Sequence, residues 1–291
     1  EAPERGWVSL PVAGILALSV IAAGMFIWRT FKSPTPIVNL RRFGNRNFLV
    51  GCLLSFVLGM GLFGSVYLMP VFLAYVRAHD ALEIGEIMLV TGVAQLIAAP
   101  VATVLVGRCD DRVLSAFGFV LFAAGLALSA GQTNATDFDE MFWPQVMRGA
   151  AIMFCILPPT QLALGNLPGD AVADASGLFN MMRNLGGAIG IAVMDTIIYS
   201  RAPEHARHMV DRLTGGDLSV ARVLGMTRDS LGTVLLDPSA RATLAPVVHK
   251  AAFVQAVNDA WWCLGLITFA GLFALPWAQR ASGAEHETFF G

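Results

Sequence analysis

The chain has 291 residues, of which 56% are hydrophobic and only 14% charged, with a formal net charge of −2 and a mean hydropathy of +0.64. Water-soluble domains carry about 25% charged residues, so this composition argues against a soluble domain, and the slightly negative balance argues against a nucleic-acid partner. Cys52, Cys109, Cys155 and Cys263 show no paired spacing, which suggests neither a disulfide framework nor a zinc site.

The first residue is Glu1 rather than Met, so the sequence reads as a piece of a longer protein or as one whose start was removed by processing. A helix needs about 20 apolar residues to cross a bilayer. In chain order the candidates are Trp7–Trp28, Phe48–Val76, Gly85–Val106, Val113–Gly131, Trp143–Leu164, Ala173–Ser200 and Val257–Trp277. Each is too long for a strand and none alternates with a period of two. The expected fold is therefore an all-α integral membrane protein, a bundle of seven transmembrane helices. Pro70, Pro100 and the pair Pro158-Pro159 interrupt spans. Membrane helices tolerate such breaks where neighbours satisfy the freed backbone groups, and the double proline is expected to kink the fifth span.

The connecting segments set an orientation. Arg29, Lys32, Arg41, Arg42 and Arg46 follow the first span with no acid among them, Arg108 and Arg112 follow the third, and Arg280 follows the last. The alternate connections carry Arg77 with Asp80 and Glu83, then Asp137, Asp139 and Glu140. Basic short loops stay cytoplasmic, so the chain is expected to enter from outside and end inside. That gives a leading span in 1–28, a basic cytoplasmic loop in 29–47, six further spans in 48–280 and a cytoplasmic tail in 281–291. Within the larger unit, 201–256 reads as a long outside loop. It has helix-like runs such as 218–236 and a helix start at Asp237-Pro238, an N-cap followed by proline at the first helical position.

The sixth span is the most informative. Leu178, Met182, Leu185, Ile189, Val193 and Ile197 form one apolar face; Ser176, Asn180, Arg183, Gly187, Gly190 and Met194 lie opposite. An arginine at mid-bilayer costs roughly 2.5–3.5 kcal/mol on insertion scales and usually faces a bundle interior or a wet cavity. The Gly186-x-x-x-Gly190 spacing admits another helix backbone. The polar stripe is thus expected to be a working surface. Arg183 is either a cavity charge that balances a carboxylate elsewhere or an internal clamp on helix-end carbonyls. Asn180 and Asn184 suit interhelical hydrogen bonds. Asp195, toward the outer end, is either a proton relay or an interfacial acid. Arg148 lies six residues inside the outer boundary of the fifth span, where it can snorkel or take part in a transport path. Gln95 is mid-span and suits a cavity contact or an interhelical bond.

Several short motifs lack the context their chemistry needs. Gly59-Met-Gly61-Leu-Phe-Gly64 matches G-x-G-x-x-G by letter but lies within an apolar span, where helix packing explains it. His205-x-x-His208 has no third ligand nearby, so no metal site is expected. Neither a P-loop nor a hydrolase motif is present. Asn134-Ala-Thr136 is a glycosylation sequon that matters only in a secretory pathway. The two lysines, Lys32 and Lys250, lie outside the spans, which excludes a retinal Schiff base. A non-transporting receptor or scaffold remains the second class of function.

Longer patterns carry a resemblance. They are Trp7 and Ser9 at the head of the first span, Pro36-Ile-Val-Asn-Leu40 with Phe43, Arg46, Asn47 and Phe48, and Trp143-Pro144-Gln145. Further on come Pro158 with Thr160, and Ser176-x-x-x-Asn180-x-x-Arg183-x-x-Gly186-x-x-x-Gly190. Together, and in this order, they resemble the C-terminal half of the fourteen-span drug:proton antiporters of the major facilitator superfamily, the EmrB/QacA type. Gly107-x-x-x-Asp111-Arg112 is similar to the start of the superfamily's cytoplasmic motif, which controls conformational switching, but the Gly-Arg-Arg that follows there is missing. Asn39 stands where the family often has an acid.

The resemblance implies a bacterial inner-membrane, multi-pass exporter of hydrophobic or amphipathic compounds driven by inward proton flow. It implies no cofactor and no enzymatic activity. The first span would link two halves, and an N-terminal half would hold the usual acidic proton carriers. A periplasmic adaptor and an outer-membrane channel would be partners, besides membrane lipids. Export of a siderophore or another metabolite is the alternative on the same scaffold. A drug cavity is mostly apolar with a few polar groups, and Phe154, Met181 and Gln161 suit its lining.

Overall fold

The computed structural model describes residues 10–32, 40–165, 167–224 and 238–279, all in helices and short connections with no strand among them. The helices are α1 (Leu10–Lys32), α2 (Arg46–Phe72), α3 (Ala81–Val106), α4 (Asp111–Leu128), α5 (Phe138–Leu164), α6 (Gly169–Thr214), the short α7 (Leu218–Val223) and α8 (Pro238–Gly271). All but α7 are long and apolar enough to cross a membrane, seven among the described residues. Trp7, Ser9, the 36–39 pattern, Asp237 and the 281–291 tail lie outside the described residues.

Local chemistry fixes the helix starts. The Asn45 side chain accepts from the Asn47 and Phe48 amides at 3.0 and 3.2 Å and opens α2. Asp80 opens α3 and Asp137 opens α5, each in a reciprocal capping box with Glu83 and Glu140 respectively. Such boxes satisfy the first orphan N–H groups of a helix. Asp110 caps α4. A π-helical turn, Leu73–Arg77, prolongs α2 and ends at Ala78, whose φ of 58° turns the chain back toward α3. Helix α5 runs unbroken through Pro158 and Pro159, both buried.

α2 lies at the centre of the bundle, with 61% of its spanning window buried; α3, at the edge, has 17% and packs mainly on α5. The core gathers Leu54, Leu58, Phe72, Phe119, Phe122, Trp261 and Leu264 around α2. α2 and α6 run parallel with their backbones in contact. A Cβ at Gly59 would meet the Arg183 carbonyl, one at Gly186 the Phe56 carbonyl, and one at Gly190 the Met60 backbone at 2.7 Å. The glycines of the G-x-G-x-x-G look-alike serve the same end: Gly61 seats Phe122, and Gly64 seats Leu264. Hydrogen bonds flank this seam, Ser55 Oγ to the Phe179 carbonyl at 3.3 Å and Tyr67 Oη to Asp195 Oδ1 at 2.6 Å. By contrast α1 buries none of its spanning window.

The end of the sixth span differs from the sequence reading. Hydropathy falls at Arg201, Pro203 and Glu204, yet α6 continues to Thr214. Its 46 residues extend about 69 Å at 1.5 Å per residue, against a hydrocarbon core of about 30 Å. α8 likewise begins at Pro238, well before the apolar run at Val257. Much of 201–256 is therefore not loop but the prolongation of two spans, joined through α7, with its own small core of Ala206, Met209, Leu213, Val220, Leu224, Val248 and Ala252. Pro203 brings no N–H of its own to the helix ladder, and it lies where α6 departs from the apolar span, a position that tolerates the missing donor. Hydrogen bonds from Ser219 and Arg212 hold the Asp217 carboxyl down at about 2, at the turn between α6 and α7.

Candidate functional site

Two exposed regions of the bundle carry candidate site residues. The first belongs to α6, where Gly177, Asn180, Met181, Asn184, Leu185, Ala188, Ile189 and Ala192 are all exposed. This corrects the orientation expected from the stripe. Met194 is fully buried, Gly190 lies on the Met60 backbone, and a Cβ at Gly187 would meet the Phe63 ring. Leu185 and Ile189, from the apolar side, are 47% and 40% exposed on the open face. Small residues mark where a helix is seated as readily as where a cavity opens, and here they mark the α2 seam.

Arg183 sits at the edge of that seam, half-buried. Its guanidinium lies 5.4 Å from the centre of the Phe179 ring, within cation–π range. Its Nε has no hydrogen-bond partner, and no carboxylate pairs with it among the described residues. Asn180 donates only to the Ser176 carbonyl of its own helix, at 3.0 Å, so Asn180 makes an intrahelical bond rather than the interhelical one expected. Ser176 is half-buried beside it, and Met181 lies in the open.

The second uncovered face is a groove of about 610 Å³ between α3 and α5. Leu89, Val93, Ile97 and Val101 form one wall and Phe142, Val146 and Ala150 the other, with Phe154 at the inner end and Glu86 as the single charged lining residue. Phe154 is held by a T-shaped contact with Phe117 at 5.3 Å and by close approach to Gly118. Gln95, half-buried on α3, is not among the groove's lining residues.

A second cavity, of about 580 Å³, opens at the end carrying the basic loops, lined by Thr103, Gly107, Asp111, Thr160, Gln161 and Val172 among others. The Asp111 Oδ1 atom is buried there without a hydrogen-bond partner. Arg112 is engaged twice, by Asp110 at 3.3 Å and by the Ala278 carbonyl at 3.0 Å. Gly107 ends α3. Gln161 therefore lines this vestibule and not the α3–α5 groove, whereas Phe154 lines the groove.

Arg148 needs the largest correction. It does not snorkel to the outer boundary: it is 3% exposed, its Nη2 is 3.3 Å from the Met69 sulfur, and its guanidinium is 4.8 Å from the Trp261 ring centre. Gly125 leaves room for its stem. Arg148 is thus a packing element joining α2, α5 and α8. Asp195 was singled out from sequence, but its partner Tyr67 was not. Tyr67 is twelve residues along α2 from Ser55, and only the parallel α2–α6 packing brings it to Asp195. His205 pairs with Asp259 at 2.7 Å, and no cluster of three metal-ligating side chains occurs among the described residues.

Comparison with known proteins adds to this geometry. The family profile described as Major Facilitator Superfamily matches residues 6–191. The colistin resistance protein EmrB of Acinetobacter baumannii is 31% identical over 283 residues, covering 96% of this chain and 55% of that protein. The multidrug export protein EmrB of Escherichia coli is 27% identical over 278 residues, 92% of this chain and 54% of that protein. The fatty acid resistance protein FarB of Neisseria gonorrhoeae is 26% identical over 201 residues, 69% of this chain and 39% of that protein. The chain spans about half the length of the curated relatives it matches.

Proposed function

The chain belongs to the major facilitator superfamily, among the EmrB-type transporters, and from that membership we propose that it serves as one half of a proton-driven exporter of amphipathic compounds. The observation that carries this reading is the α3–α5 groove, open along its length and apolar apart from Glu86. Cargo sites are concave and mostly apolar, with few polar groups, and a hydrophilic siderophore would find almost no partners on these walls. Transporters of this kind rock two halves around a site near the bilayer midplane. The open face of α6, with Arg183, Asn180 and Met181, would line the same central space from the side. The test is efflux from proteoliposomes that hold the full-length protein, with a proton gradient imposed and then collapsed. Ala150→Trp narrows the groove and is expected to slow export of bulky dyes at least fivefold while small cargo is nearly unaffected. Equal loss for all cargo would remove the groove from the path.

Coupling would use the Tyr67–Asp195 pair, where an acid on α6 exchanges its proton beside a phenol on α2. The unpartnered Asp111 oxygen in the inner vestibule would take part in conformational switching, receiving a donor when the inner end closes.

The projecting hairpin of α6 and α8 would dock a periplasmic adaptor, with an outer-membrane channel beyond it. Val210 and Val247 are exposed there beyond the small core. Val210→Glu with Val247→Glu is expected to cut adaptor crosslinking about tenfold while membrane insertion is unchanged. Crosslinking at the unaltered level would place the adaptor elsewhere.

A further inference from the structure

The outer end of the α3–α5 groove is bound by a cluster that none of the roles above uses. His79 follows the left-handed Ala78 that ends the α2 extension. Its Nδ1 lies 2.9 Å from Glu83 Oε2, and its Nε2 lies 2.9 Å from Asp137 Oδ1. Glu83 belongs to the first turn of α3, and Asp137 is the N-cap of α5. These are the two helices that wall the groove, whose lining begins one turn further on at Glu86 and next door at Phe138.

A neutral imidazole has one donor and one acceptor. Placed between two carboxylates it can bond only one of them and turns a lone pair toward the other. Only the imidazolium, with two N–H donors, satisfies both contacts. The remaining charges at this corner are accounted for. Arg77, from the α2 extension, donates to Asp137 Oδ2 at 2.6 and 3.0 Å and to the Asn134 carbonyl at 3.3 Å. Asp80 accepts from the Leu82 and Glu83 amides. Glu140 accepts from the Asp137 amide and Glu83 from that of Asp80. The His79 side chain is 19% exposed, so outside protons reach it.

We propose that His79 is a proton-operated clasp: as an imidazolium it ties the outer ends of α3 and α5 together, and on losing its proton it lets the outer rim of the groove loosen. The clasp stands on its own geometry; its consequence, that outside pH controls release of cargo, rests on the export reading. The hydrogen bond from Asp137 raises the His79 pKa above its ordinary value despite some desolvation, and Glu83 adds to the rise. A raised histidine pKa gives stability that is complete below the unfolded value of about 6.5 and is lost as pH climbs through the folded value. Asp137 is shifted down: desolvation pushes upward, but the bonds from His79 and Arg77 outweigh it. Its contribution is present above about 3.9 and lost as pH falls through the lower folded value. The clasp is therefore strongest in mildly acid surroundings and released toward alkaline ones.

The experiment is amide hydrogen exchange of the purified full chain in detergent, from pH 5.5 to 9, corrected for intrinsic exchange. Protection of 81–86 and 138–142 is expected to fall at least fivefold across one transition in the unaltered protein. His79→Gln should show no transition. Glu83→Gln, which can keep the capping box, should move the midpoint to lower pH by removing one of the two carboxylates. No transition in the unaltered protein, the same transition in His79→Gln, or an unmoved midpoint in Glu83→Gln would each overturn the clasp. Efflux is not part of the readout, so failure of the export reading would leave these outcomes unchanged.

Discussion

Gly186→Val will leave little folded protein in the membrane. The added Cβ lands on the Phe56 carbonyl, which is backbone and cannot rotate aside. α2 and α6 must then separate along their whole length, opening Gly59 on Arg183 and Gly190 on Met60 as well. Overpacking a core with movable side chains costs about 1–3 kcal/mol; against rigid backbone the cost lies at the top of that range or above. About 3 kcal/mol is roughly a hundredfold in the folded-to-unfolded ratio. Detergent-solubilised monodisperse yield and melting temperature both read the effect. Gly177→Val is the control, since nothing lies within 4 Å of a Cβ there, on the open face of the same helix. Equal behaviour of the two variants would mean that the α2–α6 seam is not the close backbone contact described above.

If the proposed export function holds, Arg183→Ala in the full-length protein is expected to reduce proton-driven efflux at least tenfold with normal expression. The two effects separate because an intramembrane arginine opposes insertion by roughly 2.5–3.5 kcal/mol; its removal makes α6 easier to insert. No carboxylate pairs with the guanidinium and its Nε is unpartnered, so alanine breaks no ion pair among the described residues. What it removes is a charge held against Phe179 at the border of the open face. Arg183→Lys keeps the charge but gives up the planar stack, because an ammonium is a point charge without a flat face; it should fall between the two. Wild-type efflux by Arg183→Ala would make the residue a structural one.

Hydropathy made the seven helices readable, since nothing but a spanning helix accounts for apolar runs of this length. It could not give their rotation. Gly187, Gly190 and Met194 share a stripe with Asn180, and only the neighbouring α2 decides that the glycines are covered while Asn180 is open. Nor could it give their extent, because α6 passes Pro203 and a charged run without breaking. Depth along a helix was legible and the neighbour was not. The sequence marks Arg148 as an intramembrane cation but places it near the boundary, because its environment comes from Met69 and Trp261 on two other helices. Tyr67 gave no signal by itself, and neither did the bridge that His79 makes to Asp137, 58 residues away.

The α2–α6 seam also bears on biosynthesis. Tyr67 and Asp195 are separated by 128 residues, and Ser55 and Phe179 by 124. At roughly 5–20 residues per second the ribosome needs about 6–25 s to deliver the second partner after the first. For that interval α2, the most buried helix of the mature bundle, stands in the bilayer without the helix its glycines were shaped to receive. Its polar groups, Ser55 and Tyr67, must be sheltered meanwhile by lipid headgroups, by the insertion machinery or by α4 and α5, which emerge earlier. The quality-control vulnerability of this protein thus falls in the time before α6 arrives.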